Sequence, residues 1–113
     1  MPETNAIFFP FNLFAVSLPV FWKLKALQSY SDLICFMDQA YLPQVGDQFA
    51  QAVEDNIRRI AEHPRMFQKI RRDSDTRRCV LQEHHALFYR VRKNSVELLL
   101  FVDLRQDPGK AGL

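Results

Sequence analysis

Side chains that could stabilise negative charge or transfer protons are concentrated in the second half of the chain. Acid–base catalysis needs such groups close together, because Arg or Lys must stabilise negative charge that develops in the transition state while a base and an acid move protons. Glu83, His84 and His85 are adjacent in the sequence, and each could act as a general acid or base. If the chain carries out chemistry of this kind, the catalytic candidates are Arg77, His84, His85, Tyr89 and Arg105.

Positive charge is unevenly distributed along the 113 residues. Residues 58–93 contain eleven Lys or Arg and four acids, so this segment carries +7 although the whole chain carries only +2. Such asymmetry favours an anionic partner, while a solvated basic face is the simpler alternative. The residues predicted to contact a partner are Arg78, Arg90 and Arg105.

The same residues also suit ordinary structural roles. Tyr89 belongs to an apolar strand pattern and would then lie in the core. Consecutive residues of an extended strand point to opposite sides, so only one of His84 and His85 is expected to face a site. Arg90 and Arg105 could form salt bridges, with acids such as Asp103 and Asp107 as partners.

The sequence offers no familiar arrangement of metal ligands or nucleotide-binding glycines. It contains no CxxC, HExxH, GxxxxGK[ST] or GxGxxG motif. Cys35, Cys79 and His63 lack ligand spacing, and the two cysteines are interpreted as buried, reduced thiols. We therefore predict neither a metal site nor a cofactor.

Two amphipathic helices are predicted in the first half of the chain. Ala26, Tyr30, Leu33 and Met37 recur at spacings of three and four, which predicts a helix over residues 25–40. After a break at residues 43–46, a second apolar stripe runs from Phe49 to the end of a helix before Pro64. The short connection predicts an antiparallel helical hairpin.

The remaining chain has the pattern of strands. Extended segments are predicted over residues 77–82, 85–92 and 96–102, with turns at residues 82–84 and 94–95. Together with a strand ending near Trp22, these elements predict an α+β fold. In that fold the helical hairpin packs on one face of a curled, mainly antiparallel sheet whose last three strands form a meander.

The apolar stretch of residues 7–22 is predicted to be extended rather than membrane-spanning. It is shorter than the roughly 20 apolar residues a membrane helix needs, and Pro10 and Pro19 interrupt it. No basic residue precedes it, which argues against a signal peptide. We expect a cytoplasmic protein without membrane contact, divided into an extension (1–17), one domain (18–110) and a tail (111–113).

The order of these elements resembles the RelE/ParE superfamily of bacterial type II toxin–antitoxin toxins. The resemblance spans about residues 18–110 and rests mainly on three segments read in order. These are I-A-E-H-P at 60–64, L-F-Y-R-V at 87–91 and D-L-R-Q-D-P at 103–108. It implies a growth-inhibiting toxin of the plasmid-stabilisation type, held inactive by a cognate antitoxin whose extended segment packs along the helices and sheet.

Two mechanisms are known in that superfamily, and the resemblance favours one. RelE-like members cut messenger RNA on the ribosome, whereas ParE-like members poison DNA gyrase. Matching RelE-type positions to this chain, one catalytic arginine falls on Ala86 and one of two lysines on Cys79, while Arg77 and Arg105 match basic positions. The functional tyrosine near the RelE C-terminus has no counterpart, because no Tyr follows Tyr89.

The sequence therefore predicts a ParE-like toxin that acts on DNA gyrase and is not an enzyme. The first alternative is a RelE-like mRNA interferase, a metal-independent endoribonuclease whose partners would be the ribosome and mRNA. The second alternative is a degenerate toxin that keeps only antitoxin binding. Whether the chain forms a homodimer stays open.

Overall fold

The computed structural model describes residues 4–7, 17–82 and 84–106, with side chains from residue 17 onward. Its elements follow the order β1 (Thr4–Ile7), β2 (Val20–Lys23), α1 (Leu24–Ala40), α2 (Pro43–Glu62), β3 (Gln68–Lys69), β4 (Thr76–Gln82), β5 (His85–Val91) and β6 (Val96–Asp103).

The strands form one sheet in the order β1-β2-β6-β5-β4-β3. β4, β5 and β6 make the predicted antiparallel meander, and β2 pairs with β6 in parallel. The predicted α+β architecture is confirmed. β1 lies within the extension predicted at residues 1–17 and pairs antiparallel with β2. The division into three segments stays a prediction, and residues 107–113, with Asp107, lie outside the described residues.

The helical hairpin covers one face of the sheet because both helices have an apolar side. α1 packs against β6 and α2 against β4. Trp22 on β2 stacks on Phe101 at 5.4 Å and meets the Tyr30 ring of α1 edge-on. Phe49 of α2 is fully buried in the same core. Because both helices pack on the sheet, the strand ends that carry the candidate functional side chains are held in fixed positions.

One polar contact joins α1 to a strand edge. Phe101 lies beyond Leu98, the last residue of β6 that pairs with β2. Its backbone N–H donates to the Ser29 hydroxyl of α1 at 3.0 Å. A buried N–H without a hydrogen-bond partner is costly, and β2 no longer pairs with β6 beyond Leu98. The Ser29 hydroxyl therefore supplies the acceptor for the Phe101 N–H.

Two sequence expectations need correction. α2 begins at Pro43, because proline is favourable at the first helical position, so Gly46 lies inside the helix rather than in the break. Both cysteines are unpaired, but only Cys79 is buried and Cys35 is exposed. No helix in the described part of the chain is long and apolar enough to cross a membrane.

Candidate functional site

Three of the five predicted catalytic residues come together at one end of the sheet. His84, His85 and Arg105 meet around Asp103, and we call these four residues the histidine cluster. His85 is the first residue of β5 and pairs in register with Asp103, the last residue of β6. The antiparallel pairing of β5 with β6 therefore brings His85 and Asp103 together at the strand ends, and His84 and Arg105 lie next to them.

Both histidines face the cluster, so the expectation that they point to opposite sides is wrong. Their ring centroids lie 4.4 Å apart. The reason is that His84 belongs to the turn before β5 and is not extended. A hydrogen bond from the Leu104 N–H to the His84 carbonyl, 2.7 Å long, holds that turn against the end of β6.

His85 is the buried member of the pair. Its side chain is 6% exposed, and its ring meets Phe49 of α2 edge-on at 5.0 Å. Nε2 lies 3.8 Å from Asp103 Oδ2, too far for a hydrogen bond. Nδ1 is buried and has no hydrogen-bond partner among the described residues.

The surroundings of the cluster lower the pKa of both His85 and Asp103. Burial, His84 and Arg105 lower the pKa of His85, against the opposing effect of Asp103. The carboxylate of Asp103 accepts hydrogen bonds from the Arg105 backbone N–H, Nε and Nη2 at 2.9, 3.1 and 2.8 Å. Chiefly through these bonds, Arg105 lowers the pKa of Asp103 to about 2. A neutral imidazole beside a carboxylate can accept a proton or bind a cation.

Arg105 also connects the cluster to the tip of the helical hairpin. Asp103 raises the pKa of Arg105, and Tyr41, between α1 and α2, contributes in the same direction. Tyr41 is half exposed and meets the exposed ring of Phe36 edge-on at 6.0 Å. The sequence analysis missed Tyr41 because the contact depends on how the hairpin packs. It considered Asp103 only as a salt-bridge partner.

The other two catalytic candidates lie at the far end of the same strands. Tyr89 is four residues from His85 along β5, roughly 13 Å at the usual rise of a strand. It is fully buried, donates to the Pro64 carbonyl at 2.6 Å, and has its pKa raised mainly by burial. Arg77, in register with Tyr89, donates to Asp75 at 2.7 Å and to the carbonyls of Arg65 and Phe67.

The predicted partner-contact residues on the sheet are also engaged within the chain. Arg90 binds Glu97 through Nε and Nη2 at 3.0 and 2.7 Å. Arg78 donates to Gln68 at 3.2 Å. Arg90 is in register with Thr76, one residue from Arg77 along β4, and so points to the opposite face of the sheet. Glu83 lies outside the described residues.

A mainly apolar groove lies between the two helices. It has a volume of about 390 Å³. Apolar side chains make up most of its lining, and two carboxylates also lie on it; the lining residues are Leu27, Tyr30, Ser31, Ile34, Cys35, Asp38, Gly46, Asp47 and Ala50. Near it, the exposed side chains of Phe36, Tyr41 and Leu42 form an apolar hairpin tip. Apolar surface of this kind marks an interaction site more often than a catalytic one.

Comparison with known families gives one match. The sequence model of a family described as the ParE toxin of the type II toxin–antitoxin system parDE matches residues 20–108. The match covers α1, α2 and every strand from β2 to β6. No curated protein matches the chain.

Proposed function

Because this chain belongs to the ParE toxin family and is the toxin of a type II toxin–antitoxin system, we propose that it inhibits growth by acting on DNA gyrase and does not cleave RNA. This action requires the protein to work in the cytoplasm. The proposal extends family membership to a target and a mechanism. The proposal rests on whether the arginine side chains are free to contact a phosphate group of RNA.

The pairing of Arg105 with Asp103 carries this proposal. Cleavage of RNA without a metal needs positive charge to stabilise the transition state. In the described part of the chain, Arg105 is the arginine at the histidine cluster, and Asp103 neutralises its charge by accepting hydrogen bonds from Nε and Nη2. Arg77 and Tyr89, which a nuclease would need nearby, are held by internal bonds about 13 Å along the strands.

Induced expression in a bacterial host tests the target. We expect growth arrest with filamentation and induction of the SOS response to DNA damage, without cleavage of messages. Co-expression of the neighbouring small gene is expected to restore growth. Arrest with halted translation and cleaved messages would overturn the gyrase mechanism, and no arrest would support the degenerate alternative.

An mRNA interferase is the second candidate because the structure brings His84, His85 and Arg105 together. Neutral His85 beside ionised Asp103 resembles a general-base arrangement. In a ribosome-dependent cleavage assay, His85→Gln and Arg105→Gln would abolish cleavage if this candidate is right. On the gyrase mechanism, the wild-type protein yields no cleavage in that assay.

For neutralisation, we propose that the antitoxin segment fills the apolar groove between α1 and α2 and covers the hairpin tip. The groove offers Leu27 and Ile34 as apolar contacts, and Leu42 at the tip is 70% exposed. A bound apolar segment would remove this surface from water, which is favourable at roughly 25 cal/mol per Å².

A matched pair of variants tests the groove. Cys35 is exposed and lines the groove, whereas Gln28 is exposed on α1 outside its lining. We expect Cys35→Arg to weaken antitoxin binding at least tenfold in titration calorimetry and Gln28→Arg to leave it unchanged. Equal affinities for both variants would place the antitoxin elsewhere.

A further inference from the structure

We propose that His84, His85 and Asp103 form a binding site for one divalent transition-metal ion, with Zn²⁺ as the best-suited ion. Each residue offers one ligand atom, and the three atoms lie within 4.8 Å of one another. The sequence analysis expected no metal site because the ligands follow no motif spacing. They become neighbours only through the β5–β6 pairing.

The ligand chemistry fits zinc. Zinc sites are built from imidazole nitrogens, thiolates and carboxylates, and three protein ligands leave a fourth position for water or a partner group. At Zn–N and Zn–O distances of about 2.0–2.2 Å, tetrahedral ligand atoms lie roughly 3.3–3.5 Å apart. The ligand atoms, within 4.8 Å of one another, would have to approach by up to about 1.5 Å. His84 lies half-buried in a turn, where its side chain has room to rotate.

The second observation is the unpartnered nitrogen of His85. Its Nδ1 is buried and has no hydrogen-bond partner within the residues the structure describes, although the side chain is only 6% exposed. Buried polar side-chain atoms almost always have a partner, so an imidazole without one indicates a missing ligand or water. The other imidazole nitrogen, Nε2, lies 3.8 Å from Asp103 Oδ2, which is too far for a hydrogen bond to that carboxylate. Metal coordination supplies that partner.

Arg105 takes the place of the cation in the protein without metal. It satisfies the Asp103 carboxylate with three hydrogen bonds, yet its own side chain is 55% exposed. An exposed guanidinium can move into water at small cost. A bound metal ion would then replace the Arg105 side chain as the partner of the Asp103 carboxylate, and the Arg105 side chain would move toward the hairpin tip.

The test is metal titration of the full-length, tag-free protein after treatment with a chelator. Zn²⁺ binding is measured by competition with a chromophoric chelator, and Co²⁺ binding by its visible absorption. The wild-type protein is expected to bind one equivalent at micromolar concentration or below, and to give the absorption of a low-coordinate Co²⁺ site.

Two conservative variants and a control decide the location. His84→Gln and Asp103→Asn each remove one ligand while keeping similar shape, and each is expected to weaken Zn²⁺ binding at least tenfold. His63→Gln removes the exposed histidine after α2 and is expected to leave binding unchanged. Circular dichroism of the metal-free variants checks that they fold.

Three results would overturn the site. They are no binding by the wild-type protein up to high micromolar metal, unchanged binding by folded His84→Gln, and equal loss of binding by His63→Gln. In the first case Nδ1 of His85 is satisfied by water. In the other two, the metal is held by other residues.

Discussion

Two regions of strand β5, around Tyr89 and around His85, hold their buried polar side chains in opposite states. In the first region, Tyr89 is buried and hydrogen-bonded to the Pro64 carbonyl, and Arg77 beside it is bound to Asp75 and two carbonyls. In the second region, His85 is also buried but lacks a partner for Nδ1 within the described chain. Polar groups that satisfy one another stabilise a fold, whereas an unsatisfied buried group beside a charge suggests a site.

The contrast changes how the sequence candidates are interpreted. All five catalytic candidates are residue types suited to RNA cleavage, and the sequence pattern favoured a core position only for Tyr89. The structure gives Arg77 and Tyr89 internal partners and leaves the histidine cluster as the chemically open end. We therefore propose that the residues around Tyr89 contribute stability and that the histidine cluster is a binding site.

The largest effect is expected for Tyr89. Tyr89→Ala removes a fully buried ring and should lower the free energy of unfolding by about 3–5 kcal/mol in urea denaturation. Tyr89→Phe keeps the ring but leaves the Pro64 carbonyl without its donor, at a cost of about 1–3 kcal/mol. If Tyr89→Phe abolished toxicity without lowering stability, Tyr89 would have a chemical role and the contrast would fail.

The second prediction compares two arginines that share Asp75. Arg77 is 13% exposed and also donates to two carbonyls, so Arg77→Ala should cost about 2–3 kcal/mol of unfolding free energy. Arg65 is 61% exposed, so Arg65→Ala should cost under about 1 kcal/mol. Both losses of unfolding free energy are to be measured from the denaturation midpoints of the wild-type protein and the two variants. Equal losses would mean that burial does not distinguish the two ion pairs.

The third prediction concerns pH at the open end. The pKa of His85 lies below its usual value because of burial, His84 and Arg105, and Asp103 only partly opposes this. Between the folded and unfolded pKa values the unfolded chain binds more protons, so His85 contributes stability above about pH 6.5 that is lost as the pH falls.

Denaturation of the metal-free protein between pH 7.5 and 5 measures this contribution. We expect the stability of the wild-type protein to fall more steeply than that of His85→Gln over this range. Parallel curves for the two proteins, or an imidazole of His85 that titrates above pH 6.5 by NMR, would contradict the assignment.

Most of the fold follows from local patterns. The three-and-four spacing of Ala26, Tyr30, Leu33 and Met37 predicted α1, and alternation around Leu87 and Tyr89 predicted β5. Strand β3 escaped prediction because Gln68–Lys69 is two exposed polar residues with no period. The start of α2 was placed too late because Pro43 was interpreted as a break rather than as the first residue of a helix.

The histidine cluster was less predictable because it depends on register and packing. His85 lies beside Asp103 only because β5 and β6 pair as they do, with a bulge between Phe88 and Tyr89 that shifts the register. Tyr41 reaches Arg105 only because the hairpin tip packs over that end of the sheet. Local sequence patterns carry little information about either contact.

The most direct test of the account is purified gyrase with supercoiled plasmid and the purified toxin. We predict that the toxin makes gyrase accumulate double-strand breaks, seen as linear plasmid after protease treatment, and that antitoxin prevents it. Messenger RNA bound to ribosomes should stay intact at the same toxin concentration. Unaffected gyrase together with cleaved message would contradict the account.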